Sequence, residues 1–355
     1  MAGIVQPAGV TDQGAAPIPG RRQRASGSRG ADGNPVRPPG GGESAGGPRF
    51  DQTLTENGYL WWYVDALSDD GLHGITIIAL IGSVFSPYYA HARRRGRGEP
   101  ENHCALNVAL YGSDRKRWAM TERGRSRLMR SETDLIIGPS SVVWEQDCLS
   151  IHINELGAPL PRRVRGVVRV HPKALTGHCE QLDGTGRHRW SPIAPESRVE
   201  VDMEQPGLRW SGDGYLDSNS GDEPLEAGFR CWDWSRSKLK RGSAVLYDVT
   251  RHDGERLPLA LRFDGKGGVE PFEPPPSMPL PSTFWWRIPR AAQTDVDSTA
   301  RVVETLEDTP FYARSTVNAR LLGESVTAFH ESLSLQRFNT GWVQALLPFR
   351  MPRFG

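Results

Sequence analysis

The sequence predicts an all-β protein, and three observations predict it. From Asp51 onward, short runs of β-branched and aromatic residues follow one another with turn residues between them. Long amphipathic helical patterns are scarce. The chain also carries 11 tryptophans, side chains that a sheet accommodates by filling a core or lining a ligand site. Many short strands with tight turns argue for sandwiches or barrels, and 355 residues are enough for two domains.

Residues 1–48 form a tail of Gly, Pro, Arg, Ser and Ala with almost no large apolar side chains. Such a segment cannot bury enough surface to offset its ordering entropy, so disorder is expected there. The run YLWWYVD (59–65) is the first strand, and residues 74–84 the second. ALNVALY (105–111) alternates in part. Residues 142–153 read as a strand or hairpin. RVRGVVRV (163–170) sets polar residues between valines, as a half-exposed strand does. Residues 243–249 and 257–263 flank the turn signal Asp253-Gly254, which predicts a hairpin. Residues 327–337 are the best helix candidate, although a strand fits them too. The proline-rich stretch 271–281 reads as a surface connector. Trp61-Trp62 and Trp285-Trp286 open two series of strands, a repetition that fits two related halves.

Composition excludes several function classes. The formal charge is +1, far from the strong positive charge of a nucleic-acid binder. The four cysteines, Cys104, Cys148, Cys179 and Cys231, form no C-x-x-C pair and read as reduced thiols in a cytosolic protein. No stretch approaches the roughly 18 apolar residues of a membrane span, and the N-terminus lacks the pattern of a secretory signal. Gly212-Asp-Gly-Tyr completes neither a dinucleotide fingerprint nor a phosphate loop. No G-x-S-x-G nucleophile elbow occurs. The histidines have no metal-ligand spacing.

The densest chemistry lies in residues 186–234. His188-Arg-Trp190, Trp210, Tyr215-Leu-Asp217, Trp232 and Trp234 fall there together. In a strand, Tyr215 and Asp217 share a face, as do His188 and Trp190, because the side-chain period is two. Two such pairs would make two opposing walls, each with a polar group beside an aromatic ring. An enclosed aspartate stays protonated near neutrality and can serve as a general acid. Aromatic faces can stabilise a developing cation. The same text also reads as a turn in which Asp217 and Asn219 cap backbone groups, and spacing alone favours that reading. The tryptophans fit core packing equally well, and His188 a structural role. The arginine clusters at 93–97, 115–117 and 123–130 read as solvated loops or as a patch facing an anionic membrane.

Long segments resemble the carotenoid 1,2-hydratases, also called hydroxyneurosporene synthases. They are NGYLWWYVDALSDDG (57–71), GSVFSPYY (82–89), HCALNVALYG (103–112), RWAMTERG (117–124) and residues 210–234. The likeness spans roughly residues 51–345. It implies two lipocalin-like β-barrel domains, at 49–205 and 206–355. It implies hydration of the terminal 1,2 double bond of acyclic carotenoids such as neurosporene and lycopene, with no cofactor; no metal and no nucleic-acid partner are expected from the histidine spacing and the charge. By that resemblance Asp217 is the proton donor beside Tyr215, His188 and Trp190 assist, and Trp210, Trp232 and Trp234 are candidates for binding substrate. Protonation at C2 leaves a tertiary cation at C1 that water captures. An apolar substrate implies a cytoplasmic protein touching the inner, photosynthetic membrane peripherally. The competing expectation is a lipocalin-like carrier that binds a carotenoid or other lipid without turnover. A carbohydrate-active protein using Asp213 and Asp217 is a third reading, and it requires a polar groove.

Overall fold

Two large, mainly antiparallel sheets dominate the computed structural model, which describes residues 47–112 and 116–354. Most of the tail read as disordered, and Arg115 of the second arginine cluster, lie outside the described residues. The first half supplies β1 (Tyr59–Ser68), β2 (Gly74–Ile81), β3 (Cys104–Tyr111), β4 (Arg117–Arg123), β5 (Leu128–Arg130), β6 (Asp134–Ile137), β7 (Ser140–Glu145), β8 (Cys148–Leu156), β9 (Arg163–Pro172), β10 (Glu180–Gln181), β11 (His188–Gln205) and β12 (Leu208–Gly221). The second supplies β13 (Phe229–Lys238), β14 (Ser243–Arg251), β15 (Arg256–Phe263), β16 (Val269–Pro271), β17 (Ser277–Leu280), β18 (Arg290–Gln293), β19 (Arg301–Asp308), β20 (Tyr312–Leu321), β21 (Glu324–Ser334) and β22 (Arg353–Phe354). The helices are short: α1 (Pro87–Arg94), α2 (Leu225–Gly228), α3 (Leu335–Phe338) and α4 (Gly341–Leu346). None is long and apolar enough to cross a membrane.

The first sheet runs β22-β4-β3-β2-β1-β12-β11-β9-β8-β7-β6-β5 and the second β16-β15-β14-β13-β21-β20-β19. Neither ladder closes on itself among the described residues, so the expected barrels are curled, open sheets. The first curls until β3 and β4 approach β6, β8 and β9. The change of sheet falls between Gly221 and Phe229, later than the 205/206 boundary expected from sequence. The reason is that β11 and β12 form one long hairpin through the cis Gln205–Pro206 turn, which keeps residues 208–221 in the first sheet.

Strand alternation sorts the residues of β1 and β12 onto two faces. Leu60, Trp62, Val64, Ala66 and Leu216 face the inside of the curl, where Trp62 meets Phe50 edge-on at 4.7 Å. Tyr59, Trp61, Tyr63 and Tyr215 face the second sheet and pack against Trp232, Trp234, Tyr247 and Phe329. The aromatic layer thus lies between the sheets.

Several local expectations meet their structure. The Asp253-Gly254 turn joins β14 to β15. Gln146 and Asp147, both with positive φ, join β7 to β8 in a hairpin. Residues 163–170 alternate exposed and buried as read. All four cysteines are free. The helix expected at 327–337 is instead β21 followed by α3, because β21 is held on both sides by β13 and β20. Pairing of β17 with β18 makes part of the proline-rich connector a strand. Trp61 and Trp62 are buried in β1, whereas Trp285 is exposed in the loop between β17 and β18. The two Trp-Trp pairs therefore mark no structural repeat.

Candidate functional site

Asp217 sits on β12, near the middle of the first sheet, where β1 and β11 flank it. Its Oδ2 accepts two hydrogen bonds, from Trp190 Nε1 and from Tyr215 Oη, each at 2.8 Å. Its Oδ1 is buried with no partner. The two oxygens therefore stand in different surroundings. With two donors aimed at it, Oδ2 is the oxygen suited to be the carbonyl of a protonated acid, which leaves Oδ1 as the place for the hydroxyl. Burial pushes the Asp217 pKa up to about 8, against the pull of the Trp190 and Tyr215 hydrogen bonds, with a smaller upward push from Glu331 and Asp65. The acid is therefore held neutral at physiological pH.

The sequence folds this way for identifiable reasons. Gly212 and Gly214 precede Tyr215. A Cβ at Gly212 would meet the Leu67 carbonyl oxygen at 1.9 Å, and one at Gly214 would meet Val199 at 2.2 Å. These glycines let β12 press between β1 and β11; they do not form a phosphate loop. Pro192 and Pro195 lie where β11 departs from regular register with β12, between Ser191 and Ala194 and between Ala194 and Ser197. A proline is tolerated at such bulges because no ladder donor is required there. The regular pairing just before them sets Trp190 opposite Asn219, one diagonal step from Asp217.

Trp190 and Asp217 thus share one wall rather than facing each other across a cavity, which corrects the opposing-wall expectation. The facing wall comes from the second sheet. Trp234 lies 5.3 Å from the Tyr215 ring and 5.5 Å from the Tyr63 ring. Tyr247 meets Trp190 edge-on at 5.0 Å and Trp232 at 6.0 Å. The indole N–H of Trp234 is buried without a partner.

His188 stands apart from the acid. Its Nδ1 pairs with Tyr59 Oη at 2.8 Å and its Nε2 with Glu223 at 3.3 Å. Burial lowers its pKa against the upward pull of Asp183 and Glu223. Gly221 and Gly228 leave room for it, since a Cβ at either would press on the imidazole at 2.9 or 2.5 Å. His188 is thus held between Tyr59 and Glu223 at the start of β11, two residues before Trp190. Trp210 falls on the other face of β12, among the core residues inside the curl. Its even position in the strand puts it with Leu216, on the face opposite Tyr215 and Asp217. Trp232 and Trp234 do join the aromatic layer.

Sequence reasoning missed the charged groups around this layer. Tyr63, directly opposite Asp217 across the β1–β12 ladder, donates to Glu331 Oε1 at 2.7 Å. Arg314, buried, donates to the same oxygen at 3.0 Å and approaches Glu307 at 3.5 Å. Asp65, opposite Tyr215, pairs with buried Arg236. The alternation of Tyr59, Trp61 and Tyr63 carried the signal for Tyr63. Nothing local marked Glu331 or Arg314, because only the pairing of the second sheet brings them there. Among the described residues no three His, Cys, Asp or Glu side chains gather as a metal would require.

Removing one donor tests the wall. Tyr215→Phe takes away one of the two hydrogen bonds that stabilise the carboxylate form. Hydrogen bonds to charged groups are worth about 1.5–3 kcal/mol, so turnover is expected to fall roughly 10- to 100-fold. The upper limb of the pH–rate profile should move to higher pH, and an unmoved limb would contradict the pairing.

Residues 77–355 match the family model described as Carotenoid hydratase CrtC. The chain belongs to the carotenoid hydratase family. The acyclic carotenoid 1,2-hydratase of Thiocapsa roseopersicina is 59% identical, with 100% of this chain and 88% of that relative aligned. That of Rubrivivax gelatinosus is 54% identical over 99% of this chain and 87% of the relative. That of Cereibacter sphaeroides is 40% identical over 78% of this chain and 98% of the relative. Among solved structures, a putative AttH from Nitrosomonas europaea superposes with a TM-score of 0.54 at 14% identity, covering 81% of this chain and 99% of that one. Kievitone hydratase from Nectria haematococca gives 0.51 at 8% identity, covering 81% and 92%. At such low identity these two share the fold of this chain alone.

Proposed function

We propose that this protein is a cofactor-independent hydro-lyase of carotenoid biosynthesis. It adds water to the terminal 1,2 double bond of acyclic carotenoids such as neurosporene and lycopene. The observation that carries the reading is the buried Asp217, with both donors on Oδ2 and a free Oδ1. The π electrons of the alkene take the Oδ1 proton at C2, leaving a tertiary cation at C1. A water oxygen bonds to C1 and gives a proton back to Asp217. The acid is regenerated, and the sum is the addition of one water.

A trisubstituted alkene is a very weak base, and burial has an opposing consequence. It keeps Asp217 protonated, yet it also makes the acid weaker. The reaction proceeds only if the site stabilises both charges that the transfer creates. The Trp190 and Tyr215 donors stabilise the carboxylate, and they are preorganised, so they need no rearrangement as charge develops. The faces of Trp190, Trp234 and Tyr247 stabilise the cation. Attraction between the two new charges, in a water-poor layer, adds to both. A carrier has no use for a proton-bearing acid in its aromatic layer.

The two curled sheets are read as two lipocalin-like modules in tandem behind the N-terminal tail. The enzyme meets its substrate by peripheral contact with the cytoplasmic side of the inner membrane. Incubation with lycopene or neurosporene is expected to give a product heavier by one water, with label from ¹⁸O-water in the new hydroxyl. Because the acid form is the active one, the rate should be level below pH about 8 and fall roughly tenfold per pH unit above it. Recovery of the polyene unchanged, though bound, would make the protein a carrier.

A further inference from the structure

Aromatic side chains also concentrate at the surface. Trp285 is 77% exposed, Phe284 73% and Phe349 70%. In α4 and the 3-10 turn Leu347–Phe349 that continues it, Trp342, Leu346 and Phe349 recur at a spacing of four and then three residues and share an exposed stripe. Val343 and Leu347 turn the other way, into the apolar cluster that contains Tyr215 and Trp234. The C-terminal segment is thus apolar on both sides, one of them packed into that cluster. Trp342 stacks on Trp286 at 5.8 Å, which brings the Phe284-Trp285 loop beside the stripe. Arg337 fixes that loop by donating to the carbonyls of Trp286 and Arg287. Single exposed apolar residues are ordinary, but a contiguous group of large aromatics marks a contact surface.

The two segments that meet beside this stripe carry basic residues and no acidic ones, while Asp308 accepts from the backbone N–H groups of Trp285 and Trp286 in the neighbouring loop. Residues 335–354 contain Arg337, Arg350 and Arg353 and no Asp or Glu. Residues 85–98 contain Arg93, Arg94, Arg95 and Arg97, again with no acid. The two segments meet across a cleft of about 570 Å³ lined by His91, Arg94, Arg97, Gln344 and Arg353. Arg353 is taken up by Glu122, whereas Arg94 and Arg97 have no carboxylate partner among the described residues.

We propose that this face docks on an anionic phospholipid bilayer. Trp285, Trp342, Leu346 and Phe349 enter the boundary between headgroups and acyl chains, while Arg94 and Arg97 meet lipid phosphates. Amphipathic aromatic rings favour that depth, and basic residues are drawn to an anionic surface. A hydratase working on water-insoluble carotenoids would collect its substrate here, so the purpose of the surface rests on the proposed function. Binding itself does not, and is measured without substrate.

The test is flotation of the full chain with vesicles of phosphatidylglycerol and phosphatidylcholine, against phosphatidylcholine alone. Binding to the anionic vesicles is expected, weakened at high salt. It should drop at least tenfold in Trp285→Ser/Trp342→Ser/Phe349→Ser, and also in Arg94→Gln/Arg97→Gln, which leaves the apolar packing untouched. Both variants should hydrate detergent-solubilised lycopene at the wild-type rate but lose turnover of lycopene held in vesicles. Wild-type protein that fails to float, or variants that float like wild type, would overturn the proposal. So would a wild-type dimer that the triple variant converts to monomer without any lipid binding, since a second copy would then be the occupant. Absence of product from detergent-solubilised lycopene would instead count against the hydratase reading alone.

Discussion

Asp217→Asn is expected to lose turnover by at least about 1,000-fold, within the range that general acids contribute, while keeping the fold. The amide matches the protonated acid in shape. Its oxygen accepts from Trp190 and Tyr215 as Oδ2 does, and its NH₂ stands where the Oδ1 hydroxyl stood. What it lacks is a proton it can give to an alkene. The substitution should also stabilise the protein at high pH. Asp217 has a pKa of about 8 in the folded chain against an ordinary 3.8. Between those values the unfolded chain releases the proton and the folded chain retains it, so stability falls as pH rises from about 4 to about 8 and is level beyond. Asparagine does not titrate. The Tm of the variant should therefore exceed that of wild type by an amount that grows through this window. Turnover near the wild-type rate would remove Asp217 from the chemistry; a Tm difference independent of pH would place its ionisation elsewhere.

Arg314→Met should produce the largest loss of stability, on the order of 3–5 kcal/mol. Arg314 is 2% exposed. It holds Glu331, approaches Glu307, donates to Tyr111 Oη, and lies within 5.8 Å of the Tyr63, Tyr111, Tyr312 and Phe329 rings. Methionine fills part of the volume and leaves two carboxylates without their cation. Adding Glu331→Gln should restore much of the loss, because the stranded charge, rather than the missing contact, carries most of the cost. Urea unfolding of both variants measures this. A single variant within 1 kcal/mol of wild type, by the scale typical of surface positions, would show that the pair is not a buried ionic element. Glu331 also raises the pKa of Asp217, so in the double variant the upper limb of the pH–rate profile should move to lower pH.

The β class and the positions of β1, β2, β3, β7, β8, β9, β14 and β15 were legible in the sequence; Tyr215 and Asp217 share a face once residues 208–221 form a strand, which spacing alone did not favour over a turn. Alternation is a local property, and it holds whichever strand lies alongside. Residues 163–170 and the Asp253-Gly254 hairpin follow from the same local rules. The aspartate itself came from its aromatic company and from the likeness of long segments to a known family.

Only the tertiary structure decided what surrounds that aspartate. Trp190 and Asp217 meet because β11 and β12 are adjacent in one sheet, and no local pattern says which strands are neighbours. His188 and Trp210 share the same dense stretch of chain, yet one turns to Tyr59 and Glu223 and the other to the opposite face. Tyr63, Tyr247, Glu331 and Arg314 come from strands far apart in sequence and converge only when the two sheets pack. Sequence determined that an acid stands among aromatics. Packing determined which of its oxygens is bonded and which is free, because a hydrogen bond depends on distances between strands that the order of residues along one strand does not contain.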